Sequence, residues 1–266
     1  MDTPVTLIRN HRLLLWRFAL RGLTQRYKGS LFGLLWTVIT PLCMLGIYTF
    51  MFSVVFQARW GHGVGDSKMA FAIVLLSGLT IYQIFSESVN ASIQAVSNNP
   101  NYVKKVVFPL EILPFAGHIS FLLPNLVWFL MVVAGTWLFM GGLSLKILLL
   151  PAILIPLSFL TIGISWFCAS LGVFIRDLSH FITIVLRMLL FLTPIFYDTD
   201  RIPHPWNYLL LCNPLAHFVD QTRRILIYNQ WPDWYVLAGI SLFSLAVFQL
   251  GYLWFMRTKK GFADVL

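Results

Sequence analysis

Ten carboxylates, six histidines and three cysteines are the side chains with which this chain of 266 residues could hold a metal, activate a nucleophile or move a proton. They are scattered. His11, His62, His118, His180, His204 and His217 stand apart, and no His–Glu or His–Asp pair has the spacing of metal ligands. A lone histidine among apolar residues is usually packed or interfacial. Cys43 and Cys168 fall inside apolar runs and Cys212 in a loop-like stretch, which gives neither a disulfide framework nor a metal site. The GxxxxGK[ST] loop that cradles nucleotide phosphates is absent. No two carboxylates face each other on an apolar run, as glycosyl transfer would need. The residues point away from an enzyme.

The elements that carry these side chains explain the scarcity. Between Lys28 and Arg59 lie thirty uncharged residues, and about 20 residues of helix cross a bilayer. Only 11% of the chain is charged and 58% is hydrophobic, against about 25% charged in a soluble domain. Six spans are predicted, at residues 32–56, 69–91, 109–140, 147–175, 181–197 and 234–256, in one membrane unit over 1–266. No cleaved signal peptide is expected. With an even count both ends lie on one side, and that side gathers Lys and Arg two to one over the other. Both termini are therefore expected in the cytoplasm, and the net charge of +9 reflects topology rather than nucleic-acid binding.

Arg187 is the one cation inside a span. Counting from Asp177, it lies about 15 Å deep at about 1.5 Å per residue. A charge there costs roughly 2.5–3.5 kcal/mol on insertion scales, so it should face protein or water. A pore or subunit-interface role and a structural pairing both fit. Glu87, counted inward from Met69, falls near the cytoplasmic edge, where hydration is cheap.

Three further segments are set by pattern. Residues 5–28 carry Leu13, Trp16, Leu20, Leu23 and Tyr27 on one helical stripe with Arg17, Arg21 and Lys28 beside it. That suits a helix lying in the membrane interface, or one packed on a soluble partner. Residues 198–233 are apolar but broken by Pro203, Pro205 and Pro214, so they read as short helices dipping into the bilayer or as an aromatic-rich loop resting on it. Asn98 to Pro109 reads as a short apolar and basic helix bounded by Pro100 and Pro109 between two spans, and such a lever, residues 99–109, could pass on a push from a soluble partner.

Several motifs then resemble one family. Arg26-Tyr27-Lys28-Gly29-Ser30, Leu31-Phe32-Gly33-Leu34-Leu35-Trp36 and Pro41-Leu42 are similar to the approach to the first span in polysaccharide-exporting ABC-2 permeases. Asn99-Pro100, Val103-Lys104-Lys105-Val106 and Phe108-Pro109-Leu110-Glu111-Ile112-Leu113-Pro114 resemble their first cytoplasmic loop. Arg176-Asp177-Leu178 resembles the second cytoplasmic turn, and Thr193-Pro194-Ile195-Phe196-Tyr197 the end of the fifth span. Asn213-Pro214-Leu215 with Arg223, and Phe262-Ala263-Asp264, follow in order. The nearest branch is that of O-antigen exporters, the Wzm permeases; capsule and teichoic-acid permeases are parallel branches, and a small-molecule exporter on the same scaffold remains an alternative.

The resemblance implies an all-α integral membrane protein. It has a cytoplasmic interfacial helix over 1–30, six spans over 31–256, a cytoplasmic tail over 257–266 and short re-entrant helices on the outer side. It implies a homodimer in the bacterial inner membrane, bound to two ABC ATPase subunits that hold ATP and Mg, with no cofactor in this chain. Undecaprenyl-linked polysaccharide would be the cargo. Asn99, Pro100, Tyr102, Val103, Lys104, Lys105, Arg176 and Asp177 would couple to the ATPase. Phe32, Trp36, Arg187, Phe191, Phe196 and Tyr197 would line the channel, where aromatic faces stack on sugar C–H faces. Pro203, Trp206, Asn213, Pro214 and Arg223 would form the outer gate.

Overall fold

The computed structural model describes residues 4–55, 67–104, 108–140, 142, 144–199 and 202–266. Phe56, which closes the first predicted span, and Lys105 of the coupling set lie outside them. Among the described residues every regular element is helical.

The long apolar runs become long helices, because backbone polar groups away from water must be paired within the segment. They are α3 (Lys68–Ser92), α5 (Ile112–Phe139), α6 (Leu150–Phe174, with a 3₁₀ lead-in at Leu145–Leu149) and α10 (Trp234–Thr258). These four are long and apolar enough to cross a membrane. The other elements are α1 (Pro4–Tyr27), α2 (Trp36–Thr49), α4 (Pro100–Lys104), α7 (Leu178–Leu192), α8 (Asn207–Leu211), α9 (Pro214–Leu226) and α11 (Phe262–Val265).

α3 is the axis of the fold. Nearly all of its apolar window is buried, and it packs on α2, α5, α6, α7 and α9. Its buried hydroxyls bond back along their own helix, Ser77 to the Val74 carbonyl at 2.6 Å and Thr80 to that of Leu76 at 2.8 Å, so they add no unpaired polar group. α6 and α10 form the other main pair. They cross at Gly163 and Gly251, so closely that a methyl on Gly163 would lie 2.6 Å from the Val247 carbonyl oxygen. Small residues let apolar helices gain dispersion contacts at short range where no water is expelled between them.

Two predicted spans depart from a single long α-helix. The first is α2 preceded by a 3₁₀ turn at Gly33–Leu35 and continued by a π-helical stretch at Phe50–Val55. The fifth was predicted to run to Tyr197, but α7 ends at Leu192. Pro194 is the reason: a residue before proline is pushed out of the helical region, and Thr193 has ψ of 135°. The fifteen residues of α7 span about 22 Å, less than the ~30 Å of a hydrocarbon core.

α1 has two apolar faces. Leu15 and Ala19 are buried, and the helix packs along α5 so closely that a methyl on Gly22 would meet Ser120 at 3.2 Å. Leu13, Trp16 and Leu20 of the predicted stripe point outward and are exposed. The segment 198–233 folds as α8 and α9, with α9 packed on α3, α5, α6 and α10.

Candidate functional site

At one end of the bundle the chain ends of four helices meet. Gly172, in the last turn of α6, lies against the Ile93 carbonyl just after α3, and no side chain would fit between them. α11 packs on both α4 and α6, through Phe262 against Phe174 at 5.8 Å. Lys259 donates to the buried Glu111 carboxylate at 2.7 Å, and the Trp166 indole donates to the Glu111 carbonyl at 2.8 Å. The tail, the head of α5 and the end of α6 are thereby tied into one base.

On that base stands α4, a little over one helical turn where residues 99–109 were expected to be helical; the chain is already non-helical at Phe108 and Pro109. Two prolines confine it, since each forces the residue before it toward extended backbone. Tyr102 stacks on Phe108 at 4.7 Å, and Phe18 of α1 meets both rings, at 5.8 and 5.4 Å. The Arg21 guanidinium reaches the Tyr102 hydroxyl at 3.5 Å. The Asn99 amide donates to the Ala95 carbonyl at 2.9 Å, which shapes the approach to the turn. Tyr102 and Val103 are thus half-buried anchors, while Pro100 and Lys104 are exposed. Arg176 and Asp177, also exposed, form the turn between α6 and α7. This is a rigid pedestal with a polar, cationic tip.

The predicted channel residues fall into two groups. Phe32 and Trp36 lie together near the start of α2, their rings edge to face at 5.7 Å, and the Trp36 indole donates to Ser30 Oγ at 2.8 Å. Phe191, Phe196 and Tyr197 gather at the far end of α7, where Phe196 contacts Tyr48 of α2 at 5.2 Å and Phe191 at 5.7 Å. Phe32, Trp36 and Phe191 are exposed, Tyr197 half-buried. Phe196 is not on an open face: it is only 4% exposed, packed inside the chain. Arg187 lies on an outward face of α7 with Ile184, Met188 and Phe191. Among the described residues no carboxylate or carbonyl holds its guanidinium.

Of the predicted gate residues, Pro203 and Trp206 are exposed and precede α8. Asn213 and Pro214 cap α9: the Asn213 carboxamide oxygen accepts from the Leu215 backbone at 3.0 Å, and its NH₂ donates to Thr193 at 3.0 Å. Arg223 is only 4% exposed. It donates to the Pro194 carbonyl at 2.6 Å, Ile195 at 3.2 Å and Val74 at 3.4 Å, fastening α9 to α3 and to the chain just past α7. Gly78 leaves the room, since a methyl there would lie 3.0 Å from the guanidinium. Arg223 is a buried fastener between α9, α3 and the segment after α7 rather than a surface charge.

One polar cluster escaped the sequence reading. Arg26 makes a two-pronged ion pair with Glu87, at 2.9 and 3.2 Å, and Asn125 of α5 donates to the same carboxylate at 3.4 Å. Burial alone would pull the Arg26 pKa down, but the hydrogen bond and charge of Glu87 more than offset it and the group is raised. A signal was present: Glu87 is the lone carboxylate of its apolar run, and Arg26 lies in the short basic approach to the first span.

Comparison with known proteins agrees with this architecture. The chain is 29% identical over 257 residues to the O-antigen export system permease protein RfbA of Klebsiella pneumoniae, covering 92% of each. It is 27% identical to the protein of the same name from Myxococcus xanthus, over 96% of this chain and 95% of that one. It is also 27% identical to the polysialic acid transport protein KpsM of Escherichia coli, over 87% and 86%. The family model described as ABC-2 type transporter matches residues 13–227. Four bilayer-length helices and a match over most of the sequence place the chain in the ABC-2 type transporter family.

Proposed function

We propose that this chain is the membrane subunit of an ATP-driven exporter that moves an undecaprenyl-linked polysaccharide, of the O-antigen kind, across the bacterial inner membrane. Its six spans leave both termini in the cytoplasm, with α2 and α7 completing the four long helices. Two copies form the conduit and bind two copies of a separate ATPase, which holds ATP and Mg. Relatives named for O-antigen export and polysialic acid transport support a polysaccharide cargo.

The observation that carries the reading is the pedestal under α4. Tyr102, clamped by Phe18 and Phe108, turns Pro100 and Lys104 outward at the end where α1, α5, α6 and the tail are tied together. A turn so braced transmits force instead of bending. The outward Arg187 supports the second copy, since a cation at mid-depth needs protein or water beside it. Phe32, Trp36, Phe191 and Tyr197 then line the path with weak, repeated contacts that let a chain slide, while α8 and α9 form the outer gate. The test is purification of the tagged chain from its native membrane, with surface polymer scored in the deletion strain. An ATPase subunit should come with it and the polymer should be lost. Undiminished polymer at the surface would sink the reading.

A further inference from the structure

The Arg26–Glu87–Asn125 cluster borders a cavity of roughly 270 Å³ between α1, α2, α3 and α5. Trp36 and Trp128 line it together with Ser30 and Thr40. The Asn125 carboxamide is only 2% exposed, and both atoms its NH₂ reaches, the Phe121 carbonyl at 2.9 Å and Glu87, are acceptors. The amide orientation is therefore fixed. That leaves Asn125 Oδ1, buried and without a hydrogen-bond partner among the described residues, on a residue that lines the cavity. A buried acceptor left unmade costs roughly 1–3 kcal/mol, so a donor supplied from outside would be favoured there.

The lining selects the donor. An anion would meet the Glu87 carboxylate, and the one guanidinium present is already engaged on both prongs. A cation would have to displace Arg26. A purely apolar group would leave Asn125 Oδ1 unpaired. Hydroxyls attached to a ring with C–H faces satisfy every element: they donate to Asn125 and Glu87, exchange bonds with Ser30 and Thr40, and offer a flat face to the indoles. The volume suits one ring, not a chain.

We propose that this cavity is a binding subsite for a single neutral sugar unit of the cargo, at the end of the conduit where export begins. The proposal rests on the export reading above. It assigns Asn125 and Glu87 to recognition and gives Arg26 the positioning of Glu87.

The test uses the full-length chain in nanodiscs of host lipid. The probe is the mixture of monosaccharides released by acid hydrolysis of the surface polymer of the host strain. Saturation-transfer NMR should show transfer to the C–H protons of at least one sugar, unchanged by equimolar inorganic phosphate. Asn125→Leu, which keeps the size and removes the acceptor, should weaken the signal about tenfold. Thr40→Val, on the exposed side of α2, should weaken it by a smaller factor and decides the matter if Asn125→Leu does not fold. No transfer with the wild type, transfer undiminished in the folded variants, or displacement by phosphate each overturns the subsite. Loss of surface polymer in the deletion strain alongside no sugar transfer sinks the subsite alone and leaves export standing.

Discussion

Gly163 and Gly251 meet backbone to backbone where α6 crosses α10, with no room for a side chain on either. Gly251→Leu must push the two helices apart or force strained rotamers, at a cost of about 1–3 kcal/mol. The expected outcome is a lower melting temperature of the purified protein. Gly239→Ala on the same helix has open space around it and should be neutral or slightly stabilising. Equal behaviour of the two variants would count against the close crossing.

The Arg26–Glu87 pair joins α1 to α3, and its two prongs make it orientation-specific. Glu87→Lys should loosen α1, read as faster proteolysis near its start. Exchanging the charges, with Arg26→Glu and Glu87→Arg together, should restore part of the protection. The folded-state pKa of Arg26 is raised above its ordinary value, so its contribution is complete below the ordinary value and fades only as pH rises past the folded one. Arg26 titration should therefore contribute no stability change through the neutral range, checked by melting at pH steps.

Arg223 spreads its donors over three carbonyls that would otherwise lose a partner. Lysine cannot reproduce that fork. Arg223→Lys should therefore destabilise the protein, by about 1–3 kcal/mol for each buried carbonyl left unmade. Arg224→Lys, at a half-exposed ion pair with Asp220, should cost far less. Thermal melts of the two variants check the difference.

Lys104→Glu reverses the charge at the tip of the pedestal, and Lys105→Glu added to it reverses the next charge in sequence, with Phe18, Tyr102 and Phe108 unchanged. Membrane insertion should be unchanged, while surface polymer falls and the ATPase no longer co-purifies. Export at the wild-type level would refute docking there.

Arg187→Met removes the outward cation of α7 and keeps its length. Since no described carboxylate or carbonyl holds the guanidinium, the fold should tolerate the change, with fluorescence of the detergent-solubilised chain unaltered. Export should drop if the side chain faces cargo or a second copy. A loss of folding instead would place Arg187 in a structural role.

How much of this was written in the sequence depends on range. The helices show because a bilayer demands some twenty apolar residues in a row, and composition records that directly. The stop of α7 was also legible in Pro194, though the apolar Ile195, Phe196 and Tyr197 disguised it. Contacts across the fold were not. Glu87 sits 61 positions from Arg26, and nothing in either neighbourhood names the other. Resemblance assigned Arg223 to an outer gate, and only packing reveals the three carbonyls around it. The turn at α4 was recognised for its prolines and lysines, yet its rigidity comes from Phe18, which local pattern assigns to a different helix.

α1 carries one last implication. Its outward side offers Leu13, Trp16 and Leu20, and its inward side grips Tyr102 through Phe18 and Arg21. Both sets of side chains stand on the stretch of α1 that follows the kink at His11, so they cannot move independently. Whatever is seated on the outward side therefore displaces the tip of the pedestal whenever it shifts that stretch.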